Sequence, residues 1–133
     1  MDRAGVERWM EAYRKAWTTD APGDIADLFT DDVSYSPYPW PRGERVWKGR
    51  DVVVGKWIER GDSSSGWRFD HDVVAVDGDT AVIEGWTYYE PTAETAYEDA
   101  YANIFVIRFA DDGRARSFAE WWVQRPVPEA DAG

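Results

Sequence analysis

The sequence predicts an α+β fold: an antiparallel sheet curled around N-terminal helices. Three observations carry this expectation. Residues 2–18 repeat apolar side chains at spacings of three and four, the period of a helix. Residues 67–124 instead alternate with period two, and are broken by Asp77-Gly78 and Asp111-Asp112-Gly113, both turn sequences. Helices come first and strands after, with no repeat or linker, so residues 1–133 read as one domain with a core of about 6–125 and a tail at 126–133.

The elements follow in order. In the first helix Val6, Trp9, Met10, Tyr13, Ala16 and Trp17 share one face, and Glu7, Glu11, Arg14 and Lys15 the other. Asp2 is suited to cap it, because a short side-chain oxygen can accept from the first free backbone N–H groups. Thr18 to Gly23 breaks the pattern, and a short second helix runs through Asp24, Ile25, Leu28 and Phe29. Asp31 and Asp32 are expected to cap and terminate elements. Val33 and Tyr35 alternate in a first strand. Pro37-Tyr38-Pro39-Trp40-Pro41 places proline at every second position, which suits an edge or a stiff loop. Arg45 to Lys48 reads as a short strand, Gly49-Arg50-Asp51 opens a third helix ending near Gly61, and residues 62–66 form a connector. Trp67–Val76 and Thr80–Glu90 form one hairpin. Tyr97–Phe109 and Arg114–Gln124 form another.

Composition excludes several kinds of chemistry. The chain has no cysteine and one histidine, His71, so thiol nucleophiles, disulfides, thiolate metal sites and multi-histidine centres are ruled out within one chain. Its net charge of -11 opposes binding to a phosphate backbone, so no nucleic-acid partner is expected. The charged N-terminal segment is unlike a signal peptide, and no apolar run approaches the roughly 20 residues of a membrane span. A soluble, cytoplasmic protein without membrane contact is the expectation. Nine Trp, seven Tyr and five Phe are ample for a packed core and a ring-lined pocket.

Tyr13…Trp17, then Asp24-Ile25…Leu28-Phe29-Thr30-Asp31-Asp32-Val33, then a helix opening at Gly49, resembles the nuclear transport factor 2-like superfamily. The ending Ile107-Arg108-Phe109…Asp112-Gly113-Arg114…Phe118…Glu120-Trp121-Trp122 resembles its SnoaL-like branch. The resemblance spans roughly residues 6–125 and implies a cone with a pocket between helices and sheet, often dimeric through the sheet. The superfamily holds isomerases, dehydratases, epoxide hydrolases, polyketide cyclases and non-catalytic proteins, so fold does not fix function. Tyr13 matches the position of the ketosteroid isomerase oxyanion tyrosine. The isomerase's aspartate base would fall at Ser36-Pro37 and its second acid near Phe105, so two of three groups are missing. The cyclases' His-Trp-Asp run is replaced by Glu120-Trp121-Trp122, which also departs from that mechanism.

Alignment with the family turns the larger, more aromatic strand faces inward. These are Trp67, Phe69, His71 and Val73; Val82, Glu84, Trp86 and Tyr88; Tyr101, Asn103, Phe105, Ile107 and Phe109; and Phe118, Glu120, Trp122 and Gln124. The candidate catalytic residues are therefore Glu84, Glu120, His71, Asn103 and Tyr13. Trp17, Trp40, Trp57, Trp86, Tyr88, Phe105 and Trp122 are the candidate substrate-binding rings. Two carboxylates about 4 Å apart would repel by roughly 4 kcal/mol at an effective dielectric of 20, so one would hold its proton and form an acid–base pair with the other. The competing reading pairs these acids with Arg108, Arg114 or Arg116 and gives His71 and Tyr13 packing roles.

Two functions fit. One is a cofactor-independent acid–base enzyme of isomerase, dehydratase, cyclase or hydrolase type, acting on a small apolar cyclic molecule without metal or organic cofactor. The other is a non-catalytic small-molecule-binding or dimerisation module. A homodimer is expected from the resemblance and from an outer sheet face carrying Ile83, Tyr89, Ile104, Val106, Trp121 and Val123.

Overall fold

The computed structural model describes residues 1–37, 46–60, 66–91 and 97–127. The proline segment beyond Pro37, including Trp40, most of the 62–66 connector and the 92–96 loop lie outside the described residues. Helix α1 spans Arg3–Thr19, and the Gly5 amide donates to the Asp2 carboxylate at 2.8 Å, the cap that the sequence indicates. Val6, Trp9, Met10, Tyr13 and Ala16 are buried along one stripe. Helix α2 spans Pro22–Ala26 and α3 spans Arg50–Glu59.

The strands are β1 Phe29–Ser36, β2 Trp47–Lys48, β3 Trp67–Asp77, β4 Thr80–Tyr89, β5 Asp99–Phe109 and β6 Ala115–Gln124. They form one open mixed sheet in the order β2-β1-β6-β5-β4-β3. Only the β1–β6 pairing is parallel among the described strands. Asp31 and Asp32 do not cap an element as expected. They lie within β1, where the register with β6 shifts between Phe29 and Ser34, and Asp31 forms an ion pair with Arg50.

The core is the contact between α1 and the inward sheet face. Tyr13 is its hub: its ring lies 5.5–6.2 Å from those of Trp9, Trp17, Trp57, Phe69, Phe105 and Phe118. Such offset and tilted ring pairs add about 0.5–1.5 kcal/mol each beyond burial. This fixes how far α1 settles into the sheet, and so what space is left beyond its C-terminal end.

The β3–β4 hairpin holds an irregularity that the sequence pattern hides. Next to the turn Asp77 pairs with Thr80 and Ala75 with Val82, but Val73 pairs with Ile83. Val74 is therefore an extra residue on β3, a β-bulge, and is 49% exposed. Because side chains alternate with period two, one extra residue reverses which face of β4 lies beside Phe69 and His71. Without the bulge, Val73, His71 and Phe69 would stand beside Glu84, Trp86 and Tyr88. With it they stand beside Ile83, Gly85 and Thr87. The expected inward set Val82, Glu84, Trp86 and Tyr88 is thus corrected: these four face outward. Ile83, expected outside, is fully buried.

Gly85 shows why this parity holds. A Cβ at this position would stand 2.8 Å from Phe69 Cε1 and 3.4 Å from Phe105 Cε2. The two phenyl rings occupy the place of the missing side chain. Substituting Gly85→Ala is expected to destabilise the fold by about 1–3 kcal/mol through overpacking. Urea unfolding checks this, and an unchanged midpoint would refute the close approach.

Candidate functional site

Beyond the C-terminal end of α1 the sheet and helices leave a cavity of about 270 Å³. Its walls are rings: Tyr13, Trp17 and Trp57 from the helices, Tyr35 and Trp47 from β1 and β2, and Phe69, Tyr89, Tyr101, Phe105 and Trp122 from the rest of the sheet. The polar groups are few: Asp20, Arg60, Thr87, Asn103 and Glu120.

Three of these form a chain across neighbouring strands. The Thr87 hydroxyl donates to Asn103 Oδ1 at 3.1 Å, and Asn103 Nδ2 donates to Glu120 Oε2 at 2.8 Å. The register explains the reach. Thr87 pairs with Tyr101 and Asn103 with Trp122, so each hydrogen bond joins diagonal neighbours on one sheet face. Thr87 and Asn103 are buried. With its oxygen claimed by the threonine, the amide turns its N–H toward the glutamate.

Glu120 stands among Tyr35, Phe105, Phe118 and Tyr13. Burial disfavours its charged form and raises its pKa from 4.5 to about 7, against the opposing pull of the Asn103 hydrogen bond. It therefore exchanges a proton near neutral pH, as a general acid or base requires. Burial also raises the Tyr13 and Tyr35 hydroxyls well above the ordinary phenol range, reinforced by the nearby Glu120 charge. Both stay protonated and are available as donors.

Among the sequence-predicted site residues, the cavity brings together Tyr13, Asn103, Glu120, Trp17, Trp57, Phe105 and Trp122. Glu84, Trp86 and Tyr88 are not there. They sit on the outer face, where Glu84 pairs across strands with Asp72 and Ile104, and Tyr88 stacks under Arg68 at 4.2 Å. Glu84 and Glu120 thus stand on opposite faces of the sheet. His71 faces inward but does not line the cavity. Its ring lies between β3 and α1, with Nε2 2.9 Å from Glu7 Oε2 and Nδ1 3.2 Å from Arg14 Nη2. The arginine can only donate, so Nδ1 accepts and Nε2–H donates to Glu7 in the neutral ring. Its place is a clasp between helix and sheet, rather than beside the pocket acid.

Sequence reasoning missed Tyr35, Trp47, Thr87, Tyr89, Asp20 and Arg60. Thr87 and Tyr89 follow from the reversed parity of β4. A sequence signal for it did exist: Ala81, Ile83, Gly85 and Thr87 form the smaller face, the one that fits beneath a helix. Among the described residues no group of three or more His, Asp or Glu side chains is placed to hold a metal ion. No described helix is long and apolar enough to cross a membrane.

The SnoaL-like domain model matches residues 6–118. The chain belongs to this family. Solved structures similar to it are nuclear transport factor 2-like proteins of unknown function. The one from Cytophaga hutchinsonii has 19% identity and a TM-score of 0.61, and the match covers 88% of this chain and 98% of that one. The one from Mesorhizobium loti has 21% identity and a TM-score of 0.65, covering 92% and 95%. The one from Burkholderia xenovorans has 11% identity and a TM-score of 0.69, covering 96% and 89%. At these identities the likeness is one of fold. No curated protein matches the chain significantly.

The Glu120 shift has a consequence for stability. Folding favours the protonated carboxyl, so the stability it contributes is complete below about pH 4.5 and is lost as pH rises through about 7. Part of the carboxyl surface faces the cavity, which moderates the effect to about 2–3 kcal/mol. Glu120→Gln is expected to match the wild type at pH 4 and to exceed it by about that amount at pH 8. Parallel pH dependences in urea unfolding would contradict it.

Proposed function

We propose that this SnoaL-like protein binds a small, mainly apolar cyclic molecule in the ring-lined cavity and moves a proton on it with Glu120. The observation that carries this reading is Glu120 itself, a carboxyl balanced near pH 7 and aimed by Asn103 and Thr87 into a cavity of rings. Glu120 would take a proton from a carbon beside a carbonyl and return it to the same or a neighbouring position. The Tyr13 hydroxyl, protonated throughout, would donate to the oxygen on which negative charge develops. Proton relocation of this kind needs no redox partner, which suits the donor set present.

One observation favours a second reading, a binding module without chemistry. With Glu84 outside, one titratable acid remains beside Asn103 and Tyr13, and a single carboxyl can hold a ligand as readily as it can turn one over. Proton exchange separates the two. Cyclic ketones of one and two rings are incubated with the protein in deuterated water and followed by NMR. The enzyme reading predicts deuterium uptake beside the carbonyl, with a rate inflection near pH 7 and a loss of at least 100-fold in Glu120→Gln. Ligands that bind with no exchange above the buffer rate would establish the binding module instead.

We also propose a homodimer through the outer sheet face. Val82 and Trp86 of β4, Ile104 and Val106 of β5, and Trp121 and Val123 of β6 stand on that face, and Ile104, Trp121 and Val123 are exposed. An apolar surface of this kind on a sheet is a liability unless covered. Light scattering is expected to give twice the chain mass, with Trp121→Glu shifting it to the monomer. A wild-type monomer would refute the interface.

A further inference from the structure

One wall of the cavity is a stack of parallel planes. The Arg60 guanidinium lies 5.1 Å from the centre of the Trp47 ring. Trp47 lies 5.0 Å from Tyr35 at an interplanar angle of 9°, and Tyr35 lies 4.5 Å from Phe118 at 14°. Arg60, Trp47 and Tyr35 all line the cavity, and they run from exposed through half-buried to buried. Stacking fixes the planes of these groups and leaves the donors at their edges uncommitted.

Two of those donors lack an acceptor. Tyr35 is only 6% exposed, and its hydroxyl makes no hydrogen bond to a described residue. Among the described residues, the fully shielded side-chain polar atoms without a hydrogen bond are Arg14 Nε and Asp20 Oδ1. The Tyr35 hydroxyl is not one of them, so it is open to the cavity that Tyr35 lines. A phenol buried this far and left without an acceptor is costly unless a ligand or water supplies one. Arg60 forms no ion pair among the described residues, whereas Arg50, Arg68, Arg114, Arg116 and Arg125 each face an aspartate or glutamate. Its position at the C-terminal end of α3 accounts for a cation there but leaves the fork of N–H donors unused.

The two donors share one neighbourhood with the acid. Burial is the main cause of the raised Tyr35 pKa; the Glu120 charge adds to it and the Arg60 charge opposes it. Tyr35 thus lies within electrostatic reach of both. A planar group with two acceptor oxygens and a negative charge matches a guanidinium fork beside a phenol. The chain's net charge of -11 acts at long range and is screened beyond about 8 Å at physiological salt, so the local groups decide.

We propose that the ligand of this cavity is a ring-bearing carboxylate, its carboxylate held by Arg60 and the Tyr35 hydroxyl and its ring among the cavity's aromatic side chains. This rests on the cavity being the ligand site, and it names the chemical class that the site selects. Three probes of similar shape test it by calorimetry at pH 7: 2-naphthylacetate, 2-naphthylacetamide and 2-(2-naphthyl)ethylamine. The acid is expected to bind at least about 10-fold tighter than the amide, the return of a charge-assisted hydrogen bond, and the amine weakest. Arg60→Gln, at an exposed position, is expected to remove the acid's advantage and leave amide binding and the melting temperature unchanged. Tyr35→Phe keeps the stacked ring and deletes the unmatched hydroxyl. It is expected to weaken the acid several-fold while melting no lower than the wild type, which separates recognition from a folding defect. Equal binding of acid and amide, a tighter amine, an acid preference that survives Arg60→Gln, or an acid affinity unchanged in Tyr35→Phe would overturn the proposal while the cavity reading stands. Failure of all three probes to bind would overturn both.

Discussion

The identity of the site depends on one inserted residue. Val74 has no partner on β4, and its insertion reverses the face of β4 that looks toward α1. The consequences run through the molecule. Gly85, rather than a tryptophan, lies beneath Phe69, so the phenyl ring can lie flat on the strand and Phe105 can approach beside it. Tyr13 settles against both rings, and α1 is seated. Thr87 then arrives beside Asn103 and turns its amide toward Glu120. A straight hairpin would have placed Glu84 and two large aromatic side chains in that space.

The proton transfer proposed for the cavity rests on one acid among donors that stay protonated. Burial holds Glu120 near its midpoint at neutral pH, and the same desolvation keeps Tyr13 and Tyr35 as hydroxyls. Asn103 acts against the shift and so limits it, because its N–H favours the charged carboxylate. His71 stands apart from the cavity, held between Glu7 and Arg14. The acid–base capacity beside Asn103 thus comes from position rather than from a recognisable motif.

Much of this was legible in the chain. The helical period and the Asp2 cap give α1, and the Asp77-Gly78 and Asp111-Asp112-Gly113 turns give the two hairpins. Alternation along β5 and β6 puts Asn103, Phe105, Glu120 and Trp122 on the correct face. It failed on β4 because ring content favours the face with Trp86 and Tyr88, whereas the smaller face of Ala81, Ile83, Gly85 and Thr87 is the one turned inward. Ring content could not set the parity, and a bulge leaves no mark in a period-two pattern. Tyr35 and Trp47 reach the cavity through strand pairings that no local pattern announces. Arg60 reads as an ordinary helix-end residue. Its stack on Trp47 exists only once α3 and β2 are in place.

The central claim is that the sheet holds one carboxyl in a ring-lined cavity at the edge of ionisation. Carbon-detected NMR titration of the Glu120 side-chain carboxyl measures this directly on the wild-type chain. The account predicts a midpoint near 7, and a still higher one in Asn103→Leu, where the opposing hydrogen bond is gone. A midpoint in the ordinary carboxylate range, near 4.5, would contradict it.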